Sequence, residues 1–328
     1  MRCKLIRLRP TGPLQVGDPT ASPLPADTLF GALCHGYRLL FGTERLEKLL
    51  GSFREDEPPF LISSAYPYLD DTLFFPWPSM PPVERAERER GASDTPVERT
   101  DYVDRELFEA LLSGGPMEFL ELARRASRSA EGTLLSMDGE PPELYSRSER
   151  PRVRIDRLSR RSQIYHVHCL EFEERAGLYF LSLMREETTL EELVGVLRFL
   201  ETEGLGGERS AGYGQFTLEG VEEIEFEVPS GAKWFITLSP YFPRRSEVKG
   251  LQGYYQLTTR AGWIFSPEGR NLRKRRIRVF REGSVFQECH QRGELVDVTP
   301  SAMTAHRLYR YGLAFKLPLE VGCDAVQV

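Results

Sequence analysis

Between Leu200 and Phe216 the chain leaves a helical stripe and enters a strand through GLGGERSAGYGQF, which sets five glycines (Gly204, Gly206, Gly207, Gly212, Gly214) within eleven residues. Glycine reaches positive φ at no steric cost and lets another chain approach the backbone closely. The stripe before it is helical, with Leu190, Leu193, Val194, Leu197 and Leu200 at the required spacing. Thr189-Leu-Glu-Glu192 ahead of it matches the capping-box pattern. A glycine loop that follows its helix is not the dinucleotide fingerprint, which opens one, and the Lys-Ser/Thr of a P-loop is missing. Two readings stay open on spacing alone. One is a helix-to-strand connection. The other is a phosphate cradle of backbone N–H groups, with Arg209 and Ser210 adding charge and a hydroxyl.

The remaining elements read as α+β. Residues 3–9 alternate apolar and basic, as a half-buried strand does. After a Gly/Pro/Ser loop, Asp27 takes the N-cap place before Leu29, Phe30, Leu33, Tyr37, Leu40 and Phe41, with Gly42 as the residue past the helix end. Residues 60–66 and 72–77 read as strands joined by a turn at Pro67 to Asp71. The charged, Pro/Ser-rich stretch 79–101 reads as an exposed insertion. Short helices are expected at 104–113 and 116–128, and strands at 152–157, 163–172 and 177–184. A boundary near 229–232 precedes a strand-rich half that opens on 233–242 and closes on YRYGLAFKLPL. The expected division is therefore 1–229, with an insertion at about 79–150 and the glycine loop at 204–214, followed by 230–328.

Composition narrows the function classes. A length of 328 residues suggests two domains. The five cysteines are scattered, with no CxxC or CxxH pair, which argues against disulfides and structural zinc and suits a reducing cytoplasm. No signal-peptide pattern and no run near the ~18 apolar residues of a membrane span are visible. There is no GxSxG, HExxH or Walker motif, so no enzyme, metal or cofactor is expected.

The net charge of −6 conceals strong segregation. Seven arginines between Arg147 and Arg161 face only Glu149 and Asp156 as acids. Arg152 and Arg154 alternate with Val153 and Ile155, which gives a strand with one basic face suited to phosphate contact, and Tyr165 just beyond is a candidate for base stacking. A second run, Arg270 to Arg281, contains no acid. Its Arg273, Lys274, Arg275 and Arg276 suit RNA, an acidic neighbouring subunit or a solvated loop equally well. His166 and His168 share a strand face without a third metal ligand, and His35 falls on the helix side opposite Leu29, Leu33 and Tyr37, where it is expected to face outward.

Four segments in order, PADTLFGALCHGYRLLFG, PPFLISSAYPYLDDTLFFPWP, RIDRLSRRSQIYHV and GLGGERSAGYGQF, resemble the RAMP superfamily of CRISPR proteins. The resemblance is closest to the subunit that caps the 5′ end of the guide RNA (crRNA) in type III-A (Csm) effector complexes. It covers most of the chain and is weakest at about 79–150. It implies two ferredoxin-like (RRM-like, βαββαβ) domains, the second degenerate, with a basic β-hairpin reaching across the guide–target duplex. It implies as neighbours a large polymerase/cyclase-like subunit and a backbone RAMP subunit. Gly206, Gly207, Arg209, Ser210, Gly212 and Tyr213 would line the tag, and Arg154, Arg157, Arg160 and Arg161 would hold backbone phosphates. No aromatic RNP pattern marks the strands, so stacking on a sheet face is not expected. The alternatives are a metal-independent guide-processing endoribonuclease using His35, or the equivalent subunit of a type III-B (Cmr) complex.

Overall fold

The computed structural model describes residues 1–15, 17, 23–80, 100–156, 160–266, 272–288 and 290–321. Residues 81–99 of the expected insertion, and Arg157, lie outside the described residues. Strand β1 (Arg2–Pro10) and the short β2 (Leu14–Gln15) precede helix α1 (Ala26–Arg54), β3 (Phe60–Ile62), β4 (Tyr66–Leu69) and β5 (Thr72–Pro76). Next come β6 (Tyr102–Asp104), α2 (Arg105–Ala123), β7 (Ser127–Arg128) and β8 (Leu134–Ser136). A long hairpin, β9 (Tyr145–Ile155) and β10 (Ser162–Phe172), leads to β11 (Ala176–Met184), α3 (Glu187–Glu203) and β12 (Phe216–Glu225).

The main sheet runs β12-β1-β11-β4-β5-β6-β8-β7, with β3 also pairing β11. Strand β1 lies between β12 and β11 and is buried on both faces, and its two side-chain sets enter two different cores. Cys3 and Leu5 join one, with Tyr179, Leu181 and Ile224. Ile6 and Leu8 join the other, with Leu178 and Phe180. The period-2 geometry of a strand makes this split unavoidable. Helices α1 and α3 cover the second face through Leu29, Phe30, Leu33, Tyr37, Leu193, Val196, Leu197 and Leu200. They cross closely at Gly36, where a Cβ would come 2.6 Å from Val196 Cγ1. Helix α2 covers the other face with Leu107, Phe108, Leu111 and Leu112.

The C-terminal half adds β13 (Trp234–Thr237), β14 (Gly253–Tyr254), β15 (Leu257–Arg260), β16 (Ile277–Phe280), β17 (Val285–Gln287), β18 (Gly293–Asp297), β19 (Tyr309–Leu313) and β20 (Lys316–Leu319). These form a β14-β17-β13-β20 sheet and the pairs β15–β16 and β18–β19. Trp234, Ile236, Leu238, Phe315, Leu317 and Leu319 share one apolar cluster with α2 and with Tyr66 and Phe74 of the main sheet. The core is thus continuous across residues 229–232.

Several local expectations need correction. Asp27 is not the N-cap; Pro25 is, and Ala26 N–H donates to Ser64 Oγ at 2.9 Å. Thr189 lies buried inside α3, whose N-cap is Glu186 with no side-chain cap bond, so the capping box does not form. Buried Val196 takes the place expected for Val194, which is half-buried. Leu40 and Phe41 are exposed, because non-helical Gly42 (φ 83°) interrupts α1 before it resumes. Pro67 belongs to β4, and the turn narrows to Asp70 and Asp71, with Asp70 at φ 51°. The two helices expected at 104–128 form α2, interrupted at Gly115 (φ 76°) and ending at Ala123.

Candidate nucleic-acid interface

The glycine loop is bolted to the body of the chain. Gly204 caps α3 and donates to Leu200 O at 2.8 Å. Leu205 N–H donates to Gly214 O, and Gly214 N–H donates to Pro13 O, both at 2.8 Å. A Cβ on Gly214 would collide with the Leu205 carbonyl, and one on Gly206 would lie 2.8 Å from Gln15 O. A Cβ on Gly207 would run into the Gln15 side chain. Gly206 and Gly207 therefore serve contact with β2 first. The open rim is the turn at Arg209–Ala211, where Ser210 and Gly212 are exposed and nothing lies near a Cβ built on Gly212.

Two side chains of the loop depart from expectation. Tyr213 is buried beneath the β9–β10 hairpin with Val167 and Cys169, so its side chain does not line a groove. Arg209 is half-buried. Its guanidinium lies 4.1 Å from the Phe265 ring centroid, and its Nη1 donates to Gly204 O at 3.4 Å.

Strand alternation sets two arginines of the hairpin on one face. Arg152 pairs with Tyr165 and Arg150 with Val167, which places Arg150, Arg152 and Tyr165 on the face toward Tyr213. The Arg152 guanidinium sits 5.2 Å from the Tyr213 ring centroid. Arg150 is engaged by Glu171 at 2.8 Å. The backbone of Arg154 lies opposite Gln163. Residues Ser162 to His166 are all exposed, so the distal half of the hairpin stands clear of the body. Arg160, at φ 53°, and Arg161 are exposed near its end. His166 and His168 are exposed on the opposite face from Val167, and His166 Nδ1 is 3.1 Å from Glu149 Oε1.

A third segment meets the loop from the C-terminal half. The β15–β16 ladder extends beyond its strands through a Trp263–Arg273 bridge and an Ile264 N–H to Leu272 O bond of 2.9 Å. Ile264 is buried, while Trp263 and Phe265 on either side are 59 % and 69 % exposed. Arg273 lies 4.5 Å from the Trp263 ring centroid. Arg275 and Arg276 are exposed. Lys274 departs from the expected surface contact. It is half-buried, and burial together with the charge of Arg310 lowers its pKa.

An ion cluster fixes this segment to α1. Asp27 accepts from Arg260 Nη2 at 2.7 Å and Nε at 3.0 Å, and also from Arg310 Nη1. Burial alone would raise the Asp27 carboxyl, but the two guanidinium groups outweigh it and hold it well below the usual carboxylate range. His35 points at the same junction rather than outward. Its ring meets Phe265 edge-on at 5.1 Å and 83°. Burial, with Arg209 and Arg38 nearby, lowers its pKa and favours the neutral imidazole.

The junction therefore brings Arg209 and His35 to Phe265, while Arg152 reaches Tyr213 at the other end of the loop. Sequence reasoning missed Arg260, Trp263, Phe265 and Arg310. Aromatic residues in TRAGWIF look like core, and only the exposure of both neighbours of Ile264 reveals otherwise. Among the described residues no group of three or more His, Cys, Asp or Glu could hold a metal ion. No described helix is long and apolar enough to cross a membrane.

Comparison with known proteins follows this geometry along the chain. The family model described as RAMP superfamily matches residues 11–217, and that of the CRISPR Csm4 C-terminal domain matches 230–319. The CRISPR system Cms protein Csm4 of Thermococcus onnurineus is 30% identical over 324 residues, covering 96% of each chain. That of Methanocaldococcus jannaschii is 22% identical, covering 89% of this chain and 90% of its own. A chain of the solved Csm3-Csm4 subcomplex of the type III-A CRISPR-Cas interference complex shares the fold at TM-score 0.68 and 17% identity, covering 97% of this chain and 99% of that one. A chain of the Csm1-Csm4 cassette in complex with cA4 does so at TM-score 0.63 and 24% identity, covering 98% and 99%. By family match over most of its length and by its similarity to a curated relative across nearly all of it, the chain belongs to the RAMP superfamily and, within it, to the Csm4 family.

Proposed function

We propose that this chain is a non-catalytic guide-RNA-binding subunit of a type III-A CRISPR effector complex, capping the 5′ repeat-derived tag. In this role it bridges a large polymerase/cyclase-like subunit and a backbone RAMP subunit in the cytoplasm. The solved relatives named above are a Csm1-Csm4 cassette and a Csm3-Csm4 subcomplex, which supports a neighbour of each kind. Curated relatives called Csm4 favour this over the Cmr alternative. The order β12-β1-β11-β4, with α1 and α3 on one face, fits a ferredoxin-like βαββαβ plan for residues 1–229. Residues 230–328 are read as the degenerate second copy.

The observation that carries the reading is the convergence of three cationic segments in a chain of net charge −6. Arg152 reaches the loop through Tyr213, Arg209 reaches the C-terminal half through Phe265, and Arg273 lies over Trp263 two residues from Phe265. A positive track of this kind holds a sugar-phosphate backbone with little regard to sequence.

Replacing Arg157, Arg160 and Arg161 together by alanine tests the hairpin. Affinity for guide RNA should fall for most sequences alike, and the salt dependence should become shallower by roughly 0.7 for each phosphate no longer neutralised. Unchanged affinity and slope would remove the hairpin from the interface. The enzyme alternative is tested by incubating repeat RNA with the protein in chelator, where a cut abolished by His35→Ala would establish cleavage. The contact of His35 with Phe265, with the Arg209 charge nearby, favours no cut.

A further inference from the structure

We infer that Trp263 and Phe265 form a stacking platform for unpaired nucleobases of the bound RNA strand. The inference rests on the RNA-binding reading above and assigns a part of the grip to rings rather than charge. Large aromatic side chains are normally buried, and here Trp263 and Phe265 are 59 % and 69 % exposed, among the most exposed apolar side chains of the described residues. Ile264 between them supplies the ladder's buried apolar contact, while both rings keep most of their surface in solvent.

Both rings are held in place on one side. Arg273 lies over Trp263 at 4.5 Å, and Arg209 lies over Phe265 at 4.1 Å, with His35 against its edge. A guanidinium stacked on a ring fixes its orientation and adds a cation for an adjoining phosphate. The exposure of each ring shows that much of it still faces solvent. A base laid there would gain stacking while its phosphates reached Ser210, Arg209 and Arg273 nearby. An anchor of this kind reads π-faces, so it prefers single strands to duplex, whose bases are already stacked. The ladder behind the platform is tied to α1 by Arg260 and Asp27, which keeps it in register with the glycine loop.

The test measures binding of a short, mixed-sequence single-stranded RNA to the full chain, alongside the same strand with abasic sites stepped along it. Exchanging both rings, Trp263→Ala with Phe265→Ala, should weaken the single strand by about tenfold or more while leaving the salt slope unchanged. Abasic substitution at one or two positions should weaken binding to the natural chain by a similar factor and have no further effect on the double variant. Bound RNA should quench tryptophan emission, and Trp263→Phe should remove that signal while keeping affinity within a few-fold. Trp234 is buried and Trp77 is half-buried against Phe119, so neither is placed to give the same response. Tight RNA binding by the double variant, or a natural chain indifferent to every abasic site, would overturn the platform and leave the RNA-binding reading standing. Loss of a co-purifying protein subunit with RNA affinity intact would make the rings a protein contact and also overturn it. No RNA binding by the natural chain would sink both readings together.

Discussion

Asp27 shows how one side chain joins distant parts of the chain. Its carboxylate is buried and bound by Arg260 and Arg310, residues 233 and 283 positions away. Removing one member of a buried pair leaves the other charge uncompensated, which costs roughly 3–5 kcal/mol. Asp27→Asn should therefore lower stability by about that amount, measured by chemical unfolding at neutral pH. The pH sign follows from the depressed pKa. The contribution of Asp27 is present above the unfolded value of about 3.9 and is lost as pH falls through its lower folded pKa. The gap between the natural chain and Asp27→Asn should narrow in acid, where both carry a neutral side chain at this position. If the gap stayed constant down to the acid limb, the cluster would not be contributing through charge. The local sequence points to an N-cap for this Asp, because Asp before an apolar helical pattern is what an N-cap looks like. Partners so far away leave no trace in a local window, so the anchor becomes visible only with the fold.

At the scale of elements, the glycine loop divides into two kinds of position. Gly214 has φ 76° and its Cβ direction is filled by the Leu205 carbonyl, whereas Gly212 has φ 84° with open space beside it. Alanine at Gly212 meets only the left-handed backbone cost of roughly 1–2 kcal/mol. Alanine at Gly214 adds a collision with backbone that cannot rotate away. Thermal unfolding should therefore show a clearly larger drop for Gly214→Ala than for Gly212→Ala, and Gly212→Asn should be milder still, since Asn tolerates that region. Equal drops would mean that the loop is not locked against Leu205. The helix-then-loop order and the basic hairpin are legible in the sequence because period and charge are local properties. Which glycines face inward is not, since it depends on Gln15 and Pro13 almost two hundred residues earlier. Tyr213 escapes local reading for the same reason, as its burial is set by Val167 and Cys169 on the hairpin above it.

For the whole molecule, the change of composition near 229–232 and the packing disagree about where the chain divides. The sequence pattern changes there and the two family matches meet there, between 217 and 230. The core does not stop. Trp234, Ile236, Leu238, Val285, Phe315, Leu317, Leu319 and Val321 lie in the same cluster as Leu107, Leu111, Leu112 and Phe119. Main-chain bonds cross as well, from Ser64 N–H to Leu238 O at 2.8 Å and from Ser79 N–H to Gly283 O at 2.7 Å. Tyr66 reaches across through its hydroxyl to Leu238 O at 2.7 Å. Each large apolar side chain uncovered costs roughly 1.5–3 kcal/mol, against a total stability of roughly 5–15 kcal/mol for a natural domain. Removing the cover over α2 therefore exceeds what the first half can spare. Residues 1–229 expressed alone should bind a hydrophobic dye, show weak near-ultraviolet dichroism and aggregate, while the full chain should unfold in one transition that coincides by fluorescence and far-ultraviolet dichroism. A soluble fragment with sharp cooperative unfolding would show that the halves are independent. A single transition would bear on the proposed RNA grip, because Arg209 and Phe265 come from opposite sides of the boundary. A contact made from both halves keeps its geometry only if they move as one body.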